Sequence, residues 1–404
     1  MRYLIRSFLL LLSAWVYAGV TPAEVAHFEK CRLRAEAGEA EGQSMLGFCY
    51  FVGQGVERDY EKAFLWLRRA AVKDSDAQMI LAHAYHNGEG VPQDHAAAVS
   101  WYRKAVELGN PLAMVNLGSC YQRGEGVRAD SAEAVALWRR AAEMGEARAQ
   151  YFLGSAYAQG VVPGGDEQAL VWYRKAAEQG EASAQEELGM RFFAGKGVAK
   201  DLPAAFAWWR KVADQGVATG QARLGLCYSY GLGVAKDPIL AASWWRKAAD
   251  QGHPNAQFKT GLCYESGIGV PRDFVQAVSW YRKAAAQGDA DAQNNLGKCY
   301  ADGDGVPRDF VQAVSWYRKA AEQGHAGAQF NLGGRYYNGE GVTKDEIEAY
   351  AYWNLIRITD EDARRNLAVL EKQMSAGQIA AGQKRSKELQ KEIDAKSAAK
   401  KAGK

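Results

Sequence analysis

Residues 292–320 read AQNNLGKCYADGDGVPRDFVQAVSWYRKA. Ala292, Leu296 and Tyr300 are four apart, so they stack on one face of a helix. Gly297, on the flank of that face, lets a neighbouring helix come close. Gly303 and Gly305 can take positive φ, which ends the helix and turns the chain. Asp309 then suits an N-cap, its carboxylate accepting the free amide hydrogens of a second helix. That second helix is expected to bury Ala313, Trp316 and Ala320, and Gly324 ends it. The stretch is a pair of antiparallel helices of about 12–15 residues each, an ordinary length.

The phrase Leu-Gly-x-x-Tyr recurs at Leu46, Leu117, Leu153, Leu224, Leu296 and Leu332. Looser copies start at Leu81, where Ala82 follows; at Leu188, where Phe192 replaces Tyr; and at Thr260. Steps of 35 or 36 residues separate all nine. One helix pair cannot bury its own apolar face, but stacked pairs make a continuous core that needs capping at both ends. The expected fold is therefore all-α, a solenoid of nine helix–turn–helix repeats with helical caps. The fourth unit departs from the rule: its turn runs from Gly160 to Gly165 without the Gly-x-Gly-Val order, and its Asp falls one place late, at Asp166.

Ala-x-x-x-Leu-Gly-x-x-Tyr, Gly-x-Gly-Val, Asp and Trp-x-Arg-Lys-Ala-Ala follow one another in that order, unit after unit, from Glu39 to Leu355. This pattern resembles the Sel-1-like repeat family, relatives of the tetratricopeptide repeats. The resemblance implies a right-handed superhelix that serves as a scaffold for protein complexes, with no enzymatic activity shared among members. It also implies export, since many bacterial members are exported.

Residues 1–18 read as a Sec-type signal peptide, with Arg2 and Arg6 before an apolar stretch from Phe8 to Tyr17 and cleavage before Gly19. Residues 19–38 read as an N-terminal capping helix, 39–358 as the nine repeats, 359–395 as a C-terminal helical cap and 396–404 as a disordered Lys/Ala tail. In the cap, Ala363, Leu367 and Leu370 share one face. Nothing after the signal segment is apolar enough to span a bilayer. The expected location is periplasmic or secreted. From Lys384 to Lys404 there are eight basic residues against three acidic ones. That end is either a solvated helix fraying into a tail or a weak contact with an anionic envelope surface.

A formal net charge of +3 is too small to argue for nucleic acid. The Trp-Tyr-Arg-Lys stretches, such as Trp101 to Lys104, place aromatic rings on the buried stripe and bases toward solvent. The glycines form no phosphate loop, because no strand precedes them and no Gly-Lys-Ser/Thr follows. His83, His86 and His95 are close in sequence, yet no Cys or carboxylate beside them completes a ligand set. No catalytic residue, metal site or cofactor is expected.

Cys49, Cys120, Cys227, Cys263 and Cys299 each lie three residues after the repeat's Leu position. Consecutive sites are one repeat apart, too far to bridge, and read as small buried apolar residues. Cys31 differs. Folding the chain near Ala40 puts Cys31 opposite Cys49, as the same construction puts Tyr102 opposite Cys120 and Tyr281 opposite Cys299. Cys31 and Cys49 are therefore expected as near neighbours and as a candidate disulfide.

A partner must use surface that the repeat leaves free. On the first helix of each unit, positions two before, two after and five after the Leu form one stripe. It includes Met79, His83, Tyr151, Met190, Phe193, Leu226, Phe258, Leu262, Phe330 and Tyr337. In related arrays first helices line the concave side, so this stripe is the candidate groove for a protein or peptide. The leading reading is a non-catalytic scaffold of the bacterial cell envelope. The alternatives are a secreted effector that binds a host protein, and an envelope enzyme or regulator acting on peptidoglycan or β-lactam chemistry.

Overall fold

The structure, a computed structural model, describes residues 21–402; the expected signal segment lies outside them. The described residues form 21 helices and no strand. They divide into two compact units, one reaching Leu188 and including Lys196–Val198, the other taking Gly189–Gly195 and everything from Ala199. No described helix is long and apolar enough to cross a membrane.

In the first unit, α1 (Pro22–Glu36) precedes four helix pairs. These are α2 (Ala40–Val52) with α3 (Tyr60–Ala70), α4 (Ser75–Asn87) with α5 (His95–Glu107), α6 (Pro111–Arg123) with α7 (Ser131–Glu143), and α8 (Ala147–Ala158) with α9 (Gly165–Glu178). Helix α10 (Ala182–Ala194) carries the boundary between the units. The second unit continues with α11 (Leu202–Asp214), then α12 (Ala218–Tyr230) with α13 (Pro238–Asp250) and α14 (Pro254–Ser266) with α15 (Phe274–Ala286). Next come α16 (Ala290–Asp302) with α17 (Phe310–Ala321) and α18 (Ala326–Asn338) with α19 (Glu346–Ile356). Helices α20 (Glu361–Glu371) and α21 (Ala376–Ala402) end the chain.

Local chemistry sets each turn. In α16 the amides of Gly303 and Asp304 both donate to the Cys299 carbonyl, at 2.9 and 3.0 Å, and Gly303 has φ +84°. Asp309 accepts from the Gln312 amide at 3.0 Å, which caps α17. Gly305 seats the turn on the preceding unit, because a Cβ there would lie 2.3 Å from the Phe274 carbonyl oxygen. The glycine after the Leu also has a definite task. A Cβ on Gly297 would stand 2.7 Å from the Tyr317 ring, so the helices of a pair approach only because it is absent.

The expected split of the aromatic pair changes in the structure. Tyr317 is the fully buried ring and Trp316 is half-buried. Tyr102, Tyr173 and Trp209 are buried in the same way, with Trp101, Trp172 and Trp208 outside them. The outer Trp is instead capped by the Lys three residues on: Lys319 Nζ lies 4.0 Å from the Trp316 ring centroid, and Lys104 lies 4.0 Å from that of Trp101. The neighbouring Arg reaches forward, Arg282 donating to Tyr300 Oη at 2.8 Å and Arg318 to Tyr336 Oη at 3.0 Å. Aromatic and basic residues thus serve the interface between repeats.

In the fourth pair the turn is rebuilt. Gly164, at φ +137°, stands at the N-cap of α9 without a side-chain hydrogen bond, and Asp166 falls in the first turn of the helix. There its charge still favours the helix N-terminus.

At the C-terminus, α20 buries Ala363, Leu367 and Leu370 against Tyr350, Trp353 and Ile356 of α19. Helix α21 returns along α19, with Arg385 Nε 2.7 Å from Glu348 Oε1 and Asn354 donating to Ser386 Oγ at 3.0 Å. Of the expected tail from residue 396, residues 403 and 404 lie outside the described residues; up to Ala402 the chain is drawn as a continuation of α21, and Lys396 Nζ lies 2.7 Å from Glu322 Oε2. Its Ala and Lys residues are strong helix formers, and the ion pair ties the helix to α17.

Candidate functional site

The first-helix stripe has a shared anchoring rule. In four units a ring on this stripe leans on the buried ring of the second helix in its own pair. Tyr151 lies 5.8 Å from Tyr173, Phe193 5.7 Å from Trp209, Phe258 5.9 Å from Tyr281 and Tyr337 5.7 Å from Trp353, centroid to centroid. Tyr151, Phe193 and Tyr337 remain half-buried. Phe258 does not: it is 7% exposed and belongs to the core with Tyr281 and Leu296, so its place in the expected groove is corrected.

Met190 is half-buried beside Phe193 and Trp209, and Leu262 is half-buried against the core of Phe258 and Tyr281. Leu226 is likewise half-buried. Phe330 packs on the cluster of Tyr350 and Trp353, and its carbonyl accepts from Trp353 Nε1 at 3.1 Å. Met79 is half-buried and His83 exposed.

Met79 and His83 open onto a cavity of about 400 Å³ in the first unit, lined also by His86, Asn116, Arg123, Arg148 and Phe152. Next to it, Ser119, Gln122, Arg123, Phe152, Ser155 and Gln159 line a further 200 Å³. Between α4 and α8 the face is therefore polar and carries two arginines. Asn116 and Phe152 stand one residue before the Leu, and Arg148 five before it. Those positions lie outside the stripe chosen from spacing, because the cavity opens where neighbouring first helices meet. Glu125 bridges this wall: Arg123 donates to its two carboxylate oxygens at 2.7 and 2.8 Å, and His86 Nε2 lies 3.7 Å from Oε2. Arg123 beside Glu125 holds its carboxyl below the usual range, while burial lowers the pKa of His86. His95 joins this group, so the carboxylate absent from the sequence reading arrives from the next unit's turn.

The six cysteines are free thiols and all are buried. Burial pushes Cys120 up to about 11 and Cys227 up to about 12, so these thiols are poor nucleophiles. Cys31 and Cys49 are neighbours, as expected, and are not bonded to each other.

A ladder of glutamines also went unread in the sequence. Three residues before the Leu position, Gln150, Gln257, Gln293 and Gln329 are buried and donate to carbonyls of the preceding second helix, Gln293 to Ala285 at 3.1 Å. Their own carbonyls accept from Gln179, Gln287 and Gln323 of neighbouring turns, at 2.8 to 2.9 Å. The Ala-Gln that recurs before the Leu position in six of the nine units is the available signal, and a buried polar residue at fixed spacing needs such a partner.

The Sel1 repeat matches residues 40–72, 75–110, 111–146, 147–181, 182–217, 218–253, 254–289, 290–325 and 326–355. No curated protein matches the chain. Among solved structures, the Sel1 repeat protein from Oxalobacter formigenes is 33% identical, with TM-score 0.55, over 77% of this chain and 89% of that one. The protective antigen c5321 of uropathogenic Escherichia coli, which displays an SLR fold, is 34% identical over 92% of this chain and 96% of its own, with TM-score 0.48. An immunity protein from Pseudomonas aeruginosa is 25% identical over 54% of this chain and 82% of its own, with TM-score 0.38. Nine tandem matches that coincide with the helix pairs make the conclusion plain: the chain belongs to the Sel1 repeat family.

Proposed function

We propose that the chain is a non-catalytic scaffold of the bacterial cell envelope, exported to the periplasm or secreted, that holds a protein or peptide along its first helices. Sel1 repeat proteins are generally scaffolds for protein–protein interaction, which supports this reading. The observation that supports the placement is the polar cavity of the first unit, where Met79, His83, Asn116, Arg123 and Arg148 meet. Rigid helices hold hydrogen-bond donors there around an apolar floor of Met79 and Phe152, an arrangement suited to an extended segment with acidic or carbonyl groups. In the second unit the half-buried Met190, Leu262 and Phe330 form the apolar counterpart.

The test is crosslinking and capture of partners by the mature chain from its native envelope. Arg123→Ala with Arg148→Ala, and separately Met190→Ser with Leu262→Ser, should remove captured partners and leave helicity intact. Capture that is unchanged by both double variants would refute this placement of the binding face.

A further inference from the structure

Where the other described pairs with a cysteine at this position set a ring over it, α1 sets Cys31, and the neighbourhood holds a third ligand type. His27 stands one helical turn before Cys31, so both side chains leave α1 on the same face. Cys31 Sγ lies 3.5 Å from His27 Nε2. The ligand atoms of His27, Cys31 and Cys49 all lie within 4.8 Å of one another. A tetrahedral zinc with bonds of about 2.3 Å to sulfur and 2.0–2.1 Å to nitrogen spaces its ligand atoms roughly 3.5–3.8 Å apart. The observed sulfur–nitrogen separation matches that edge, and a disulfide would need the two sulfurs near 2.05 Å instead.

We propose that His27, Cys31 and Cys49 form a Cys2His site for one zinc ion that clips α1 to α2. Two thiolates and an imidazole are the donor set that zinc prefers over calcium or magnesium. Three protein ligands leave the fourth position to water, on the side where His27 is exposed. Both cysteines are buried, with Phe28, Ala35 and Leu46 around them, which gives the ion a dry inner wall. A thiol ligand gives up its proton as the metal takes its place. Binding then exchanges both thiol protons for the ion: two S–H bonds break, two Zn–S bonds form, and no oxidant is required. The group of His86, His95 and Glu125 does not compete as a candidate, because Arg123 already occupies both oxygens of Glu125.

The test uses the full chain, reduced and stripped with a chelator, then titrated with Co²⁺ and afterwards with Zn²⁺. The expected result is one ion per chain, thiolate-to-cobalt charge-transfer absorption that zinc abolishes, proton release on binding and a higher Tm with zinc. Cys31→Ser and Cys49→Ser should each abolish the charge-transfer band, while Cys120→Ser keeps it. His27→Ala changes an exposed residue and leaves the core untouched. It should weaken binding at least about tenfold, the lower bound for losing even an outer-shell partner. A reduced chain without the band would overturn the proposal. So would a band that survives both Cys31→Ser and His27→Ala, or a Cys31–Cys49 disulfide whose reduction leaves a pair that takes no ion.

Discussion

Helices α1 and α2 form the same hairpin as α15 and α16, yet the two are held by different chemistry. Both turn on a glycine at positive φ, Gly38 at +86° and Gly288 at +85°. In α15 and α16, Tyr281 and Cys299 share a core, Arg282 reaches Tyr300, and Gln293 ties the helices through the Ala285 carbonyl. In α1 and α2 the ring is gone, and Cys31, Cys49 and His27 fill its place. Arg32, which corresponds to Arg282, pairs within its own helix with Glu29 at 2.7 Å and Glu36 at 3.0 Å. The hairpin therefore depends on the Ala, Leu and Gly spacing and on the turn. The ring position is free to take other chemistry where the array ends.

The largest effect expected from breaking this comparison is at Tyr281. Tyr281→Ala should cost about 3–5 kcal/mol, the range for removing a buried ring, read from the denaturant midpoint of the full chain. Cys31→Ala should cost distinctly less, since it deletes only a thiol. Equal losses would mean that the two hairpins are held alike after all.

A second pair of variants sharpens the role of close approach. Gly297→Ala places a Cβ 2.7 Å from the Tyr317 ring and should cost about 1–3 kcal/mol. Gly334 has nothing within 4 Å of an added Cβ, so Gly334→Ala should stabilise by up to about 1 kcal/mol through helix propensity. The same sign for both, measured by thermal or urea unfolding, would show that backbone entropy alone decides these sites.

The smallest effect separates the half-buried His86 of α4 from the exposed His27 of α1. Burial lowers the pKa of His86 in the folded chain, while the unfolded chain takes up its proton at the usual 6.5. The unfolded state then binds more protons as pH falls below 6.5, so His86 costs stability progressively until its folded pKa is passed. Above 6.5 it has no effect. Glu125 opposes the shift, and His95, Arg123 and His83 add to it. His86→Asn should flatten the fall in Tm on the acid side; an unchanged slope would place the titration elsewhere.

Much of the fold was legible because Leu, Gly and Tyr recur at positions where helical geometry permits few substitutes. The helix pairs, their glycine turns and the Asp caps follow from spacing within a single unit, and the proximity of Cys31 to Cys49 follows from folding the cap helix onto the first unit at the turn near Gly38. What spacing could not supply is anything made between units. Glu125 reaches the His86 wall from the next repeat's turn, and Arg148 and Asn116 enter the cavity from positions the single-helix stripe omits. Phe258 is buried against Tyr281, a ring on the other helix of its own pair, which the pattern of a single helix does not show. The choice between Trp316 and Tyr317 as the core ring was a one-residue phase error, within the tolerance of a 3.6-residue period.

The most direct test of the repeat architecture is excision of one matched unit, residues 290–325, which removes α16 and α17 and joins Asp289 to Ala326. Because each unit leans only on its neighbours, the shortened chain should unfold cooperatively and keep its helicity per residue, whereas removing α16 alone should leave an unmatched face and a sharp loss of stability. Equal damage from the whole-unit and half-unit deletions would contradict the account.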